Sequence, residues 1–354
     1  MKLSRPALAT VLTIGAIALA GCAADGTAMQ TSSSPSSVSA NAPTLEQTYV
    51  SVVQKVLPSV VQITSGRDLG SGIVFDTKGD IVTNAHVVGQ ATTFQVRLAD
   101  SPKAVPATLV GAYQPDDLAV IKLDQPPTSL HPAHFGDSAR LQVGEMVLAM
   151  GNPLGLTGSV TNGIISATGR TVTEPAGNGP GATLPDVIQT SAAVNPGNSG
   201  GALVDLAGDV IGVPTLAALE PQTGGLGSSA APGIGFAIPS NLVTDIAGQL
   251  IAHGHVVNSH RAELGIGVVT VVGASDQPAG VGVVSVVAGG PAAAAGMQPG
   301  DVITAINNTP VGGVPELAQV LATLDPGQRV SVTLTTPGGS TRTVTVTLAQ
   351  LAGS

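Results

Sequence analysis

The chain has 354 residues, enough for two domains with extensions and a sizeable buried core. Only 2% of the residues are aromatic and none is Trp, so the core has to be built from Val, Ile, Leu and Ala. A formal charge of −9 without any basic stripe argues against nucleic acid as a principal partner, because phosphate binding needs concentrated Lys and Arg.

Lys2 and Arg5 precede an apolar run from Ala7 to Ala20, which ends in Leu19-Ala20-Gly21-Cys22. A charged start, a short apolar segment and small residues before a cut describe a secretory signal over 1–21, too short for an ordinary membrane span. Leu-Ala-Gly-Cys resembles a bacterial lipobox, which implies that Cys22 is lipidated and becomes the processed N-terminus. Cys22 is also the only cysteine, so no internal disulfide forms. A diacyl anchor would hold the protein on an extracytoplasmic membrane surface. Residues 22–43 are rich in Ser, Ala and Thr with scattered Pro, and such a segment buries too little to offset its ordering entropy. It is read as a flexible tether.

Short β-rich stretches then recur between Gly and Asp turns: Val60 to Thr64, Gly72 to Phe75, Asp80 to Thr83, Phe94 to Leu98 and Leu118 to Leu123. This spacing predicts a mainly β fold, a barrel or sandwich. A helix is predicted from Asn241 to about His253, with Leu242, Ile246 and Leu250 at i+4, Ser240 as N-cap and Gly254 as the stop. His253, His255 and His260 crowd the following junction but lack a convincing ligand frame with a fourth group. They are read as exposed linker residues, with no metal and no cofactor.

A second unit of about ninety residues begins at Glu263-Leu264-Gly265-Ile266-Gly267, an ordinary size for a small domain. Gly290-Pro291-Ala292 and Gln298-Pro299-Gly300-Asp301 follow, then a helical pattern near Val314 to Leu324 and paired strands around Val330 to Thr335 and Thr341 to Leu348. This unit resembles a small α+β PDZ domain over 263–350. The resemblance implies an extended peptide added as a strand, with its terminal carboxylate held by the backbone N–H groups of Leu264, Gly265 and Ile266.

The chemistry concentrates in three places. Ser199 lies in Gly197-Asn198-Ser199-Gly200-Gly201, His86 in Thr83-Asn84-Ala85-His86-Val87-Val88, and Asp117 directly before Leu118-Ala119-Val120. A serine between glycines can sit at an exposed bend while neighbouring N–H groups converge on one point, the geometry that stabilises a tetrahedral oxyanion. Its hydroxyl is a poor nucleophile unless an imidazole accepts the proton, and a buried carboxylate has to fix the imidazole tautomer. These needs assign Ser199 as nucleophile, His86 as general base and acid, Asp117 as orienting carboxylate, and the N–H groups of Gly197 and Ser199 as oxyanion hole. Asp116 is the competing acid and is read as a solvated turn residue. In an α/β-hydrolase the same glycine-flanked serine would lead into a helix, with the acid and histidine after it, an order Asp245 and His253 supply. Gly201 to Val204 and Val210 to Val213 instead flank a Leu206 to Asp209 turn and predict a hairpin.

These segments, together with Gly70-Ser71-Gly72, Gly151-Asn152-Pro153-Leu154-Gly155-Leu156, Gly163-Ile164-Ile165-Ser166-Ala167 and Gly233-Ile234-Gly235-Phe236-Ala237-Ile238-Pro239, resemble the HtrA (Deg) family. The resemblance implies a chymotrypsin-like double β-barrel over 44–254, a linker over 255–262 and the PDZ domain. It also implies a serine endopeptidase acting on unfolded or damaged envelope proteins, regulated or targeted by C-terminal peptides at the PDZ groove. A chaperone or peptide-binding protein with a latent triad is the alternative. Ala193, six positions before Ser199, stands where such proteases place the base of the primary pocket, and Ile234, Gly235 and Phe236 resemble the pocket wall; both imply a shallow apolar pocket. Leu45, Tyr49 and Val52 are the counterparts of residues that build family trimers. The short loop Ser65 to Leu69 argues against large cages. Thr215 to Pro232 falls where the family has a regulatory loop.

Overall fold

The computed structural model describes residues 44–353 apart from 67, 100, 102, 153–157, 174–182, 196, 220–229 and 274–276. The expected secretory segment, Cys22 and the expected tether lie outside the described residues. Helix α1 (Leu45–Val56) opens the described chain with a capping box between Thr44 and Gln47, Glu46 in its first turn and Lys55 in its last. Its Val52 and Val56 are buried, and Lys55 Nζ donates to the Ala207 carbonyl at 2.7 Å. Tyr49 packs on the same core and its hydroxyl reaches Met146 Sδ at 3.6 Å. Of the residues expected at a trimer contact, Val52 is therefore committed to its own chain's core, while Leu45 is exposed.

The first barrel closes in the order β1-β2-β3-β6-β5-β4, from β1 (Val60–Ser65), β2 (Asp68–Val74), β3 (Asp80–Thr83), β4 (Thr93–Arg97), β5 (Ala104–Tyr113) and β6 (Leu118–Leu123). Alternation along β1 sends Val61 and Ile63 to the interior with Ile81, Phe94, Val96 and Ile121, while Val60 faces the core shared with the rest of the molecule. Ser65 pairs directly with Asp68, so the first connection is shorter even than its sequence suggested. The one-turn helix α2 (Ala85–Val88) follows β3.

The second barrel closes as β10-β11-β12-β9-β8-β7, from β7 (Met146–Gly151), β8 (Ser159–Thr173), β9 (Thr183–Thr190), β10 (Ala202–Val204), β11 (Val210–Leu219) and β12 (Ala230–Pro239). β10 and β11 pair antiparallel, as the hairpin reading required. Helix α3 (Ser240–His253) then packs Val243, Ile246, Ala247 and Leu250 into the shared core. It starts one residue earlier than expected: Pro239 is the N-cap, and the Ser240 hydroxyl donates to the Gly136 carbonyl at 2.6 Å instead of capping. Gly254 does end the helix in a left-handed conformation, φ +76°.

The second module pairs β13 (Ala262–Glu263) with β20 (Ala349–Gln350) and builds a sheet in the order β14-β15-β16-β18-β19, with β17 (Thr309–Pro310) beside β16. Its strands are β14 (Ile266–Val272), β15 (Pro278–Val286), β16 (Val302–Ile306), β18 (Arg329–Thr335) and β19 (Thr341–Thr347), with helices α4 (Pro291–Ala294) and α5 (Val314–Leu321). Leu264, Val281, Ile303, Leu317, Val332 and Leu334 form a core of their own. His253, His255 and His260 are exposed, and the described residues contain no grouping of potential ligands that could hold a metal. Among the described residues no helix is long and apolar enough to cross a membrane.

Candidate active site

Asp117 follows the 3-10 turn Gln114–Asp116 and takes a left-handed backbone conformation, φ 51° and ψ 41°. Asp tolerates that region better than most residues, and here the turn lets its main chain and side chain face one segment. Its carbonyl accepts from Asn84 Nδ2 at 3.0 Å and from Ala85 N at 3.1 Å. Its carboxylate accepts from His86 N at 2.9 Å and lies 2.8 Å (Oδ2) and 3.0 Å (Oδ1) from His86 Nδ1. The helix carrying His86 is thus docked on Asp117 from both sides. Asp117 is buried, whereas the His86 side chain keeps 39% of its surface in solvent.

Ser199 stands on the connection from β9 to β10, in the second barrel, and its Oγ donates to the Thr215 carbonyl at 3.2 Å. The Thr215 hydroxyl donates in turn to Asp117 Oδ2 at 2.5 Å. One buried residue on β11 therefore touches both the serine and the carboxylate. The sequence placed Thr215 only at the start of the stretch matched to a regulatory loop, with no signal for this contact, whose partners lie 98 positions apart. The glycines around Ser199 have separate reasons. Gly197 holds φ +100°, and a Cβ on Gly200, at φ +78°, would sit 2.2 Å from the Ser71 carbonyl oxygen. Among the described residues, no acceptor takes the N–H of Gly197 or of Ser199.

Asp116 corrects the expectation of a solvated turn residue. It is 1% exposed, and its Oδ1 accepts from Arg261 Nη1 at 2.7 Å. Arg261 also donates to the carbonyls of Pro115 at 2.5 Å and Thr183 at 2.6 Å. Burial pushes the Asp116 carboxyl above the usual range, and the Arg261 guanidinium partly offsets the rise. The partner is 145 residues distant in the chain, so local sequence carried no sign of it.

Around the serine, Gly235 passes so close to the 192–194 segment that a Cβ would meet Val194 Cγ2 at 2.5 Å. Ala193 is exposed, with its carbonyl held by Thr161 Oγ1 at 2.8 Å; Ile234 is 37% exposed and Phe236 is half-buried. In the second module Leu264 is buried, Gly265 has φ +69°, and Ile266 starts β14. The carbonyls of Leu264 and Gly265 accept from Ala292 N and Val287 N. A groove of about 240 Å³ adjoins this loop, lined by Gly265, Ile266 and Val268 and by Leu317, Ala318 and Leu321 of α5.

The family profile of the trypsin-like peptidase domain matches residues 70–213, and that of the PDZ domain matches residues 282–336. Serine protease PepD of Mycobacterium tuberculosis is 38% identical over 332 residues, which cover 90% of this chain and 69% of PepD. Periplasmic serine endoprotease DegP of Escherichia coli K12 is 39% identical over 278 residues, 76% of this chain but only 55% of DegP. The solved HtrA-type protease AlgW with decapeptide superposes with a TM-score of 0.57 at 32% identity, covering 86% of this chain and 99% of AlgW. The serine endoprotease from Yersinia pestis gives a TM-score of 0.57 at 35% identity, over 88% of this chain and 100% of its own. With two closed barrels, a glycine-flanked serine linked through Thr215 to a His–Asp pair and a PDZ module following, the chain belongs to the HtrA family of serine proteases.

Proposed function

We propose that this protein is an extracytoplasmic endopeptidase that cleaves unfolded or damaged envelope proteins, with Ser199, His86 and Asp117 as its triad. The observation that carries the reading is the linked set of contacts from Asp117 to His86 Nδ1 and, through Thr215, to Ser199 Oγ. A carboxylate accepting at Nδ1 makes that nitrogen the N–H donor and leaves Nε2 as the acceptor for the serine proton. The Ser199 hydroxyl, directed at the Thr215 carbonyl at rest, turns its proton to Nε2 as Oγ attacks the scissile carbonyl. The N–H groups of Gly197 and Ser199 then take the developing oxyanion, His86 returns the proton to the leaving amine, and water repeats the sequence to release the acyl group.

Several finer roles rest on the same reading. Ala193, Ile234, Gly235 and Phe236 form a shallow pocket for small aliphatic side chains, with no carboxylate to pair with Lys or Arg. The groove beside Leu264, Gly265 and Ile266 takes the free C-terminus of a peptide; that a related HtrA-type protease, AlgW, is solved with a decapeptide supports peptide binding. The protease unit spans 44–254 and the PDZ domain 263–350, joined by 255–262. Lipid on Cys22 tethers the protein to a membrane, and trimers form through the exposed side of α1 around Leu45. DegP, a relative named as periplasmic, supports the extracytoplasmic setting.

The test is labelling by a serine-directed fluorophosphonate alongside casein cleavage. Ser199→Ala is expected to lose both while remaining folded. A folded Ser199→Ala protein that keeps most of its proteolysis refutes the assignment.

A further inference from the structure

Gly70-Ser71-Gly72 is a motif to which the catalytic reading gives no task. Ser71 lies on β2 of the first barrel and is fully buried. Its Oγ donates to the Gly197 carbonyl at 2.5 Å and accepts from Asn152 N at 2.8 Å. Its N–H donates to the Ser199 carbonyl at 3.0 Å, and its own carbonyl accepts from Thr83 Oγ1 at 2.7 Å. Gly197, Ser199 and Asn152 all follow from the second barrel, so one small side chain and its backbone join the serine loop to the wall of the other barrel.

We propose that Ser71 is a positioning residue for the oxyanion hole. This rests on the catalytic reading above. The N–H of Ser199 belongs to the peptide plane between Asn198 and Ser199, and Ser71 holds the carbonyls that flank that plane on either side, Gly197 O and Ser199 O. Gly197 has no Cβ and sits at φ +100°, so its own sterics do little to prevent a peptide flip. The buried hydroxyl of Ser71 supplies the missing constraint from outside the loop. Asn152 N donates to one lone pair of the same oxygen, so the hydroxyl proton is directed away from Asn152 and toward Gly197 O. Oxyanion donors work because they are aimed before the charge forms, and a donor free to rotate forfeits that advantage.

The experiment compares Ser71→Ala with wild type in the full chain, counting active sites by fluorophosphonate titration so that misfolded protein is excluded. Per titrated site, kcat on a small aliphatic peptide substrate is expected to fall by about 10²-fold, the scale of losing one oxyanion donor, with KM within about threefold. Affinity for a peptidyl boronic acid ending in valine, whose tetrahedral adduct occupies the hole, is expected to fall by a similar factor. Ser71→Thr, which keeps the hydroxyl, restores both. Where Ser71→Ala does not accumulate, Ser71→Cys carries the same comparison at nearly native volume. A kcat per titrated site within twofold of wild type, or a fall in kcat with unchanged boronate affinity, overturns the proposal while leaving Ser199 as nucleophile. Labelling of Ser199→Ala as strong as wild type overturns both.

Discussion

Replacing Arg261 by Met removes the only charge that faces Asp116 at hydrogen-bond distance among the described residues. Asp116 is 1% exposed, and among the described residues its Oδ2 has no hydrogen-bond partner, so the carboxylate depends on Oδ1 and the guanidinium. The Arg261 side chain is itself 13% exposed and leaves two further acceptors, the carbonyls of Pro115 and Thr183, when it is removed. Breaking one side of a buried pair costs about 3–5 kcal/mol, because a buried charge is left without compensation. Replacing both sides with groups of similar volume costs much less, so Arg261→Met combined with Asp116→Asn is expected to recover at least half of the loss. The acid limb gives a second check. Burial holds the folded Asp116 pKa above its unfolded value, so protonated Asp116 favours the fold: its contribution is present below the unfolded pKa, near 4, and is lost as pH rises through the raised folded value. Without Arg261 the rise is larger, and the deficit of Arg261→Met should be smallest in acid and grow toward neutrality. Urea unfolding followed by far-ultraviolet circular dichroism suits a chain without Trp. A single variant within 1 kcal/mol of wild type, or a double variant as unstable as the single, would refute this account of the pair.

Thr215→Val deletes the hydroxyl on Asp117 Oδ2 while preserving the backbone carbonyl, and kcat should fall about tenfold with a small change in KM, read on a chromogenic aliphatic peptide. Gly200→Ala adds a Cβ 2.2 Å from a backbone oxygen at φ +78°, and should yield protein unreactive toward fluorophosphonate or insoluble on expression. A peptide with an apolar free-acid terminus should bind the groove beside Gly265 at least tenfold more tightly than its amide, measured by fluorescence anisotropy; equal affinities would show that the groove does not read a carboxylate.

What the sequence revealed was the local part. The strands from Val60, Asp80 and Leu118 were legible from β-rich composition and bounding turns, and the stop of α3 from Gly254. The residue types at His86, Asp117 and Ser199 stood out because acyl-transfer chemistry would demand those groups, and the fold links them. Position-to-position partners across barrels were not legible. Thr215, Ser71 and Arg261 matter through contacts spanning 98, 126 and 145 residues, and nothing periodic or compositional marks either end. Asp116 shows the cost of judging by neighbours: beside Pro115 it reads as surface turn, yet the 3-10 turn rotates it inward to a cation that arrives from the linker. Ser240 erred the other way, its hydroxyl finding Gly136 rather than a helix terminus.

The strand pair β13–β20 carries a consequence for heat inactivation. Leu351 N bonds the Arg261 carbonyl at 2.7 Å and the Ser259 hydroxyl bonds the Leu351 carbonyl at 2.7 Å, across 92 residues of chain. The folded second module thus adds a clamp on the backbone that presents the guanidinium, closed over a long loop, to the bonds the guanidinium itself makes to Pro115, Asp116 and Thr183. Melting of the module removes that clamp even if both barrels survive, and the hold of Arg261 on the buried carboxylate next to Asp117 is then left to its side-chain bonds alone. Turnover on peptides too short to reach the PDZ groove should then drop in part when the module alone is melted, and should return on cooling.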